Sequence, residues 1–164
     1  MAKCVGEEQS EFVEGRYIHD NAMITFEVIH GLKRMTKGNT AHLALKIDIS
    51  KAYDRVDWSF LRGILNRFGF EERWIQWVMM YVSSVDYSIF VNTGSVGPIE
   101  PGRGLRQGDP LSPYLFILIS ECLFSLIKCV MARGDIHEVQ ICRGAPSVSH
   151  LLFADDYFLF CRAN

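Results

Sequence analysis

Three aspartates are the residues of this chain whose types and spacing could do chemistry: Asp48, and the adjacent pair Asp155-Asp156. Carboxylates are hard oxygen donors that suit magnesium, an ion that keeps part of its water shell and leaves positions for phosphate oxygens. Phosphoryl transfer by two divalent cations needs a set of such donors holding the ions roughly 4 Å apart. Aspartates from distant segments can form that set if the fold brings them together. Adjacent residues in a straight strand point to opposite faces, so Asp155 and Asp156 can share a site only where a turn intervenes. Leu151-Leu152-Phe153-Ala154 before the pair and Tyr157-Phe158-Leu159-Phe160 after it are two apolar runs around a polar tip. Burying two like charges there is costly unless a cation neutralises them. On these residues alone an ordinary solvent-facing turn is the simpler reading.

The elements that must position the aspartates follow from hydrophobic period and punctuation. Ala41 to Ile49 alternates, with Leu43, Leu45, Ile47 and Ile49 on one face and His42, Ala44, Lys46 and Asp48 on the other. That is a strand, and Asp48 leaves its end on the side away from the aliphatic stripe. A helix is predicted from Tyr17 to about Lys37, with Asp20 or Asn21 near its start. Ala22, Phe26, Ile29 and Leu32 form its apolar stripe, and Gly38-Asn39 ends it. Asp57 suits the N-cap of a helix through Arg67, and Gly69 suits its left-handed C-terminal position. A further helix runs from Glu71 to about Ser83, its acids complementing the dipole. Tyr87 to Asn92 reads as a strand, Thr93-Gly94-Ser95 as a turn, and Gly97 to Pro110 as too broken for regular structure. Ser112-Pro113 opens a long apolar helix closed by Gly134, with Leu115, Leu118, Cys122, Leu126 and Cys129 on its inner side. Ile136 to Ile141 and Val148 to about Phe153 read as strands. The class is α+β, with helices packing on one face of a small antiparallel sheet.

The 164 residues fit one domain of ordinary globular composition, 49% hydrophobic and 22% charged. The net charge of −2 is unusual for a nucleic-acid binder, but it is unevenly spread. Glu7, Glu8, Glu11, Glu14 and Asp20 crowd the first twenty residues, whereas Gly31 to Arg73 holds nine Lys or Arg against five acids. A phosphate-binding surface is therefore expected in that middle stretch. Five cysteines without a CxxC pair, and no secretory signal, point to reduced thiols inside the cell. Pro113 to Ala132 approaches the length of a membrane span. Glu121 and Lys128 interrupt it, so a buried core helix and no membrane association are expected.

Three stretches carry a resemblance. KIDISKAYDRVDW (Lys46 to Trp58), GLRQGDPLSPYLF (Gly104 to Phe116) and LLFADDYFLF (Leu151 to Phe160) resemble, in order and spacing, the central motifs of reverse transcriptases of the non-LTR retrotransposon, or long interspersed element, class. FVEGRYIHDN (Phe12 to Asn21) is similar to the fingers-to-palm segment of that class. The resemblance implies a right-hand polymerase palm, its small antiparallel sheet carrying the catalytic aspartates and packed on helices. Residues 1–40 would belong to the fingers and the fingers–palm connection, and 41–164 to the palm core. It implies RNA-directed DNA polymerase activity, with nucleotidyl transfer to a primer 3′-hydroxyl assisted by two Mg2+ ions, or Mn2+ in their place. An RNA template, a DNA primer and deoxynucleoside triphosphates would be the partners, and the nucleus or cytoplasm the location.

By the same resemblance, Asp48, Asp155 and Asp156 would be the catalytic metal ligands, joined by the backbone carbonyl of Ile49. Tyr53 matches the aromatic steric gate, a ring under the sugar that leaves no room for the 2′-hydroxyl that marks RNA. Gln107-Gly108 would lie over the incoming nucleotide, and Arg106 near its phosphates or the template. Lys51 and Arg55 are candidate nucleic-acid contacts, as is Arg16; Arg103 and Asp109 suit loop stabilisation better. Tyr157 stands where the class often has a smaller residue. The arginine-proline-isoleucine segment of the fingers, the primer grip and the thumb are not within this stretch, so the stretch by itself is expected not to extend a primer. Rival readings are a non-catalytic remnant of a retrotransposon, a host-reused nucleic-acid binding module, which the net charge disfavours, and a group II intron-type enzyme.

Overall fold

The alternating stretch folds as strand β1 (His42–Asp48). Its neighbours in space come from the far end of the chain. The structure, a computed structural model, describes residues 4–6, 8–35, 41–153 and 155–162. Lys37, Gly38-Asn39 and Ala154, all named above, lie outside the described residues. In chain order the further elements are α1 (Ile18–Arg34) before β1, then α2 (Trp58–Arg67), α3 (Glu72–Ser83), β2 (Tyr87–Val91), β3 (Gly94–Ile99), α4 (Ser112–Ala132), β4 (His150–Phe153) and β5 (Asp156–Arg162). The chain divides into two compact units, residues 1–50 with 120–164, and residues 51–119.

The first unit holds an antiparallel sheet in the order β1-β5-β4. Central β5 is apolar on both faces, so both need cover. Leu151 and Phe160 share one face with Val28 of α1 and with Val139. Leu152 and Tyr157 share the other with Phe124 of α4, and Ile47, Ile49 and Ile127 pack against them. Helices therefore flank the sheet on both sides, which corrects the expectation of a single covered face.

Both flanking helices keep part of the inner face their apolar stripes predict and turn the rest away, for one physical reason. On α1, Ile29 and Leu32 pack against the core as expected, but Ala22 is exposed and Phe26 is 73% exposed, and the buried residues are Asn21, Thr25 and Val28. The Asn21 amide donates to the carbonyls of Glu8 (2.8 Å) and Leu152 (3.0 Å). Buried carbonyls need partners, and this one polar residue fixes the helix rotation against the sheet. On α4, Leu115 and Leu118 are buried and Cys122 is half-buried, as expected, but Leu126 is 60% exposed and Cys129 is exposed. From its middle onward the inner side is instead Ser120, Glu121, Phe124 and Ile127. The Ser120 hydroxyl meets the Tyr157 hydroxyl at 3.1 Å, and Glu121 accepts the Gly6 N–H at 3.0 Å. By length and composition alone α4 could cross a bilayer; in this fold its polar residues are tied to other parts of the protein. Gly134, at φ +80°, ends it, with the Asp135 N–H returning to the Val130 carbonyl.

Glu121 gives a pH test of this packing. Burial pushes its carboxyl above the ordinary value of 4.5. Its folded form thus holds a proton more tightly than the unfolded chain does, so its contribution is most favourable below pH 4.5 and is lost as pH rises through the raised folded value. Glu121→Gln keeps an oxygen for Gly6 without the charge. The variant should melt at a higher temperature than the parent at pH 7, and the gap should close near pH 4 in paired thermal melts.

In the second unit, α2 and α3 form a packed pair. Asp57 caps α2 by accepting the Phe60 N–H at 2.8 Å, and Gly69, at φ +78°, closes it, as the sequence predicts. The hairpin differs from expectation. Asn92 and Thr93, both at positive φ, make a two-residue turn one position earlier, and β3 continues into the glycine- and proline-rich stretch. Pro98 fits there because β3 is an edge strand with no ladder partner on its far side. Conversely, Ile136 to Ile141 does not form a strand. It contributes only bridges, His137 to Arg162 and Val139 to Val148.

Candidate active site

The register of β1 on β5 decides where the aspartates stand. Ala44 faces Phe160, Lys46 faces Phe158, and Asp48 faces Asp156. Residues directly opposite in an antiparallel pair project to the same face, so Asp48 and Asp156 share one side of the sheet at one end. Phe153 pairs with Asp156, which leaves Asp155 in the turn of the β4–β5 hairpin. Just past β1, the Ile49 N–H donates to the Asp155 carbonyl at 3.4 Å. The turn required by the sequence argument is therefore present, and over a hundred residues of chain close on one sheet end.

Around this point the side chains are arranged as follows. Lys46 Nζ lies 3.0 Å from Asp156 Oδ2, a diagonal pair on the same face. Among the described residues, no group of three or more His, Cys, Asp or Glu stands gathered for a metal ion. Asp48 and Asp155 are exposed and Asp156 is partly so. Burial, and then the charge of Asp155, push the Glu11 carboxyl above its ordinary range, which marks Glu11 as a fourth acid near the turn. Tyr157, next to the pair, is a buried anchor whose phenol is raised by burial. Sequence reasoning missed Lys46 and Glu11. The signal for Lys46 was available: two residues before Asp48, it must share that residue's face of the strand.

The nucleotide-site candidates Tyr53, Arg106, Gln107 and Gly108, with Lys51 and Arg55, lie in the second unit. Tyr53 opens a single 3-10 turn (Tyr53–Arg55) and stacks on Phe116, with ring centroids 5.0 Å apart and planes within 15°. The same short segment straps down the glycine-rich loop. Leu105 N–H donates to the Tyr53 carbonyl (2.9 Å), Gly104 N–H to the Val56 carbonyl (2.7 Å), and Trp58 Nε1 to the Gly104 carbonyl (2.8 Å). A side chain on Gly104 would meet the Asp54 backbone at 3.2 Å. Leu105 is buried, and from it Arg106, Gln107 and Gly108 project as an exposed turn. Asp109 ends that turn by accepting from the Tyr81 hydroxyl and from the Leu111 N–H (2.9 Å). Those bonds hold its carboxyl below the usual range and give it the loop-stabilising place expected of it.

Gly108 sits at φ +85° with open space where a Cβ would be. Its need for glycine thus lies in the backbone rather than in crowding. Gly108→Ala should lower stability by about 1 kcal/mol, read as a shift in the urea midpoint. Lys51 and Arg55 are exposed beside Tyr53. Arg16 is placed differently from the other basic candidates: its guanidinium donates to the carbonyls of Gly6 and Gln9 (2.7 Å for Gln9), tying down the segment before α1.

Comparison with known proteins identifies the family. The model of the reverse transcriptase (RNA-dependent DNA polymerase) family matches residues 1–164, the whole chain. The chain belongs to the reverse transcriptase family. Among its relatives are an uncharacterized mitochondrial protein of Arabidopsis thaliana, 46% identical over 71 residues, and an uncharacterized 149 kDa protein of transposon TX1 from Xenopus laevis, 33% identical over 128 residues. A Pol polyprotein of a type-1 retrotransposable element R2 from Popillia japonica is 34% identical over 117 residues. These matches cover 43%, 78% and 70% of this chain. R2 relatives place this reverse transcriptase chain in the non-LTR class. It spans 58% of the Arabidopsis protein, 10% of the Xenopus protein and 16% of the Popillia polyprotein. A solved apo telomerase from Candida tropicalis, truncated from its C-terminal domain, matches with a TM-score of 0.46 and 13% identity over 88% of this chain and 29% of that one. That likeness is too slight to carry an argument.

Proposed function

We propose that this chain is the polymerase core of an RNA-directed DNA polymerase, adding deoxynucleotides to a primer 3′-hydroxyl on an RNA template. The observation that carries the reading is the register that sets Asp48 opposite Asp156, with Asp155 in the adjoining turn. The donor set suits the ions the family implies. Carboxylate and carbonyl oxygens are hard donors, and an ammonium already rests against Asp156, so a positive charge is accommodated there. Asp48, Asp155, Asp156 and the carbonyl of Ile49 would hold two Mg2+ ions, or Mn2+. When bound, such ions stabilise charge on phosphoryl oxygens and make a hydroxyl a better nucleophile.

The remaining tasks fall to the chain's own residues. Tyr53, braced by Phe116, presents a ring to the sugar of the incoming nucleotide. Gln107-Gly108 offers an amide and an uncluttered backbone to the nucleotide, and Arg106 offers a cation to its phosphates. Lys51 and Arg55 extend positive charge along the nucleic-acid backbone, where phosphate contacts set affinity. In this reading residues 41–164 are palm and residues 1–40 belong to the fingers and their connection.

The test is RNA-templated primer extension with Mg2+ or Mn2+ by a chimaera in which this chain replaces the matching stretch of an active relative. Extension that depends on Asp155, with Asp155→Asn as control, is the expected result. A folded chimaera no faster than that control would remove the polymerase reading.

A further inference from the structure

Lys46 stands out because it is a cation placed on the acid that the proposed function assigns to a metal. It lies on the same face of β1 as Asp48, two residues earlier, and opposite Phe158. That position makes it the diagonal neighbour of Asp156, and its ammonium reaches the carboxylate at 3.0 Å. The pair is open to solvent, with 52% of the lysine side chain and 37% of the aspartate side chain exposed. An exposed pair of this kind contributes little to stability. What it does change is local charge: it neutralises one carboxylate at the sheet end where Asp48 stands opposite Asp156 and Asp155 lies in the adjoining turn.

We propose that Lys46 is an internal counter-ion of Asp156, resting on it when no divalent ion is bound and displaced from it when one binds between the aspartates of this sheet end. The inference rests on the metal reading given above and deepens it. Lys46 is a positioning residue in this account: it acts through Asp156 and touches no reacting atom. One consequence follows: the lysine weakens ion binding, because an ion must compete with an ammonium already in place. The long, flexible lysine stem lets the head swing into water at small cost.

The experiment is a Mn2+ titration of the purified chain, followed by the electron paramagnetic resonance signal of free Mn2+. It compares the parent with Lys46→Met, Lys46→Arg and Asp156→Asn, each first shown folded by circular dichroism. Removing one positive charge within a few ångströms of the ions should tighten Mn2+ binding about three- to tenfold in Lys46→Met, whereas Lys46→Arg should stay near the parent. Asp156→Asn should bind more weakly than the parent. Unchanged or weaker binding in Lys46→Met would overturn the counter-ion role while leaving the metal reading intact. No binding by the folded parent would remove the metal reading and this inference with it.

A second measurement needs no lysine variant. Limited acetylation of the parent, read by mass spectrometry, should label Lys46 more readily once Mn2+ saturates the site. In Asp156→Asn the labelling should be high throughout and indifferent to Mn2+. Labelling of the parent that ignores Mn2+ at saturation would show that Lys46 is not displaced.

Discussion

Replacing Asp48 or Asp155 by asparagine is expected to slow primer extension by about a thousandfold, equivalent to ~4 kcal/mol of barrier, in a polymerase carrying this chain. Asparagine keeps the size and one oxygen of aspartate but removes the charge that holds a divalent ion, and the ions are worth several kcal/mol of transition-state stabilisation. The fold should tolerate the change. Both residues are exposed at the end of the sheet, and the core beneath is built from Leu152, Tyr157, Phe160 and their partners on the two helices. Melting temperatures should therefore move by no more than about 3 °C, separating a chemical defect from unfolding. Single-turnover primer extension at saturating nucleotide is the measurement. Either variant retaining more than a tenth of the parent rate would detach that aspartate from the chemistry.

Tyr53→Ala is expected to relax discrimination against ribonucleotides, on the order of 10- to 100-fold in the ratio of kcat/KM values. The expectation rests on how the ring is held. Phe116 is buried and stacks behind Tyr53 at 5.0 Å, nearly parallel, while the Tyr53 carbonyl is bonded to the Leu105 N–H. A ring fixed at both its face and its backbone cannot swing aside to admit a 2′-hydroxyl. Tyr53→Phe keeps the wall and should keep the discrimination. Competing ribo- and deoxyribonucleotides in the same extension assay give the ratio directly. A ratio unchanged in Tyr53→Ala would assign the ring to packing alone.

The sheet and its polar end were legible in the sequence because strand period is strict. Alternation from Ala41 to Ile49 assigns Asp48 a face, and two apolar runs around Asp155-Asp156 require a hairpin. Caps were legible for the same reason: Asp57, Gly69 and Gly134 act through local geometry that the residue type dictates. Helix rotation was not. On α1 and α4 the apolar stripe gives one inner face, yet Asn21, Ser120 and Glu121 turn the helices to meet particular carbonyls, N–H groups and hydroxyls. Those partners are far away in sequence, and no window along the chain contains them. For Lys46 the strand period disclosed the face it shares with Asp48 but not its partner Asp156, which depends on the register between strands more than a hundred residues apart. The strap joining Tyr53 to Leu105 likewise joins two motifs by backbone bonds that neither motif discloses.

The claim on which the rest depends is that Asp48, Asp155 and Asp156 hold divalent ions together. Crystals of the chain grown with Mn2+ and measured at the manganese absorption edge test it without any assay of activity. The expected result is an anomalous peak at the end of β1 and β5, within ligand distance of the Asp48 carboxylate and at least one member of the Asp155-Asp156 pair, with the Lys46 ammonium withdrawn from Asp156. Density showing Mn2+ bound elsewhere, with Lys46 still seated on Asp156 and nothing between the aspartates, would contradict it.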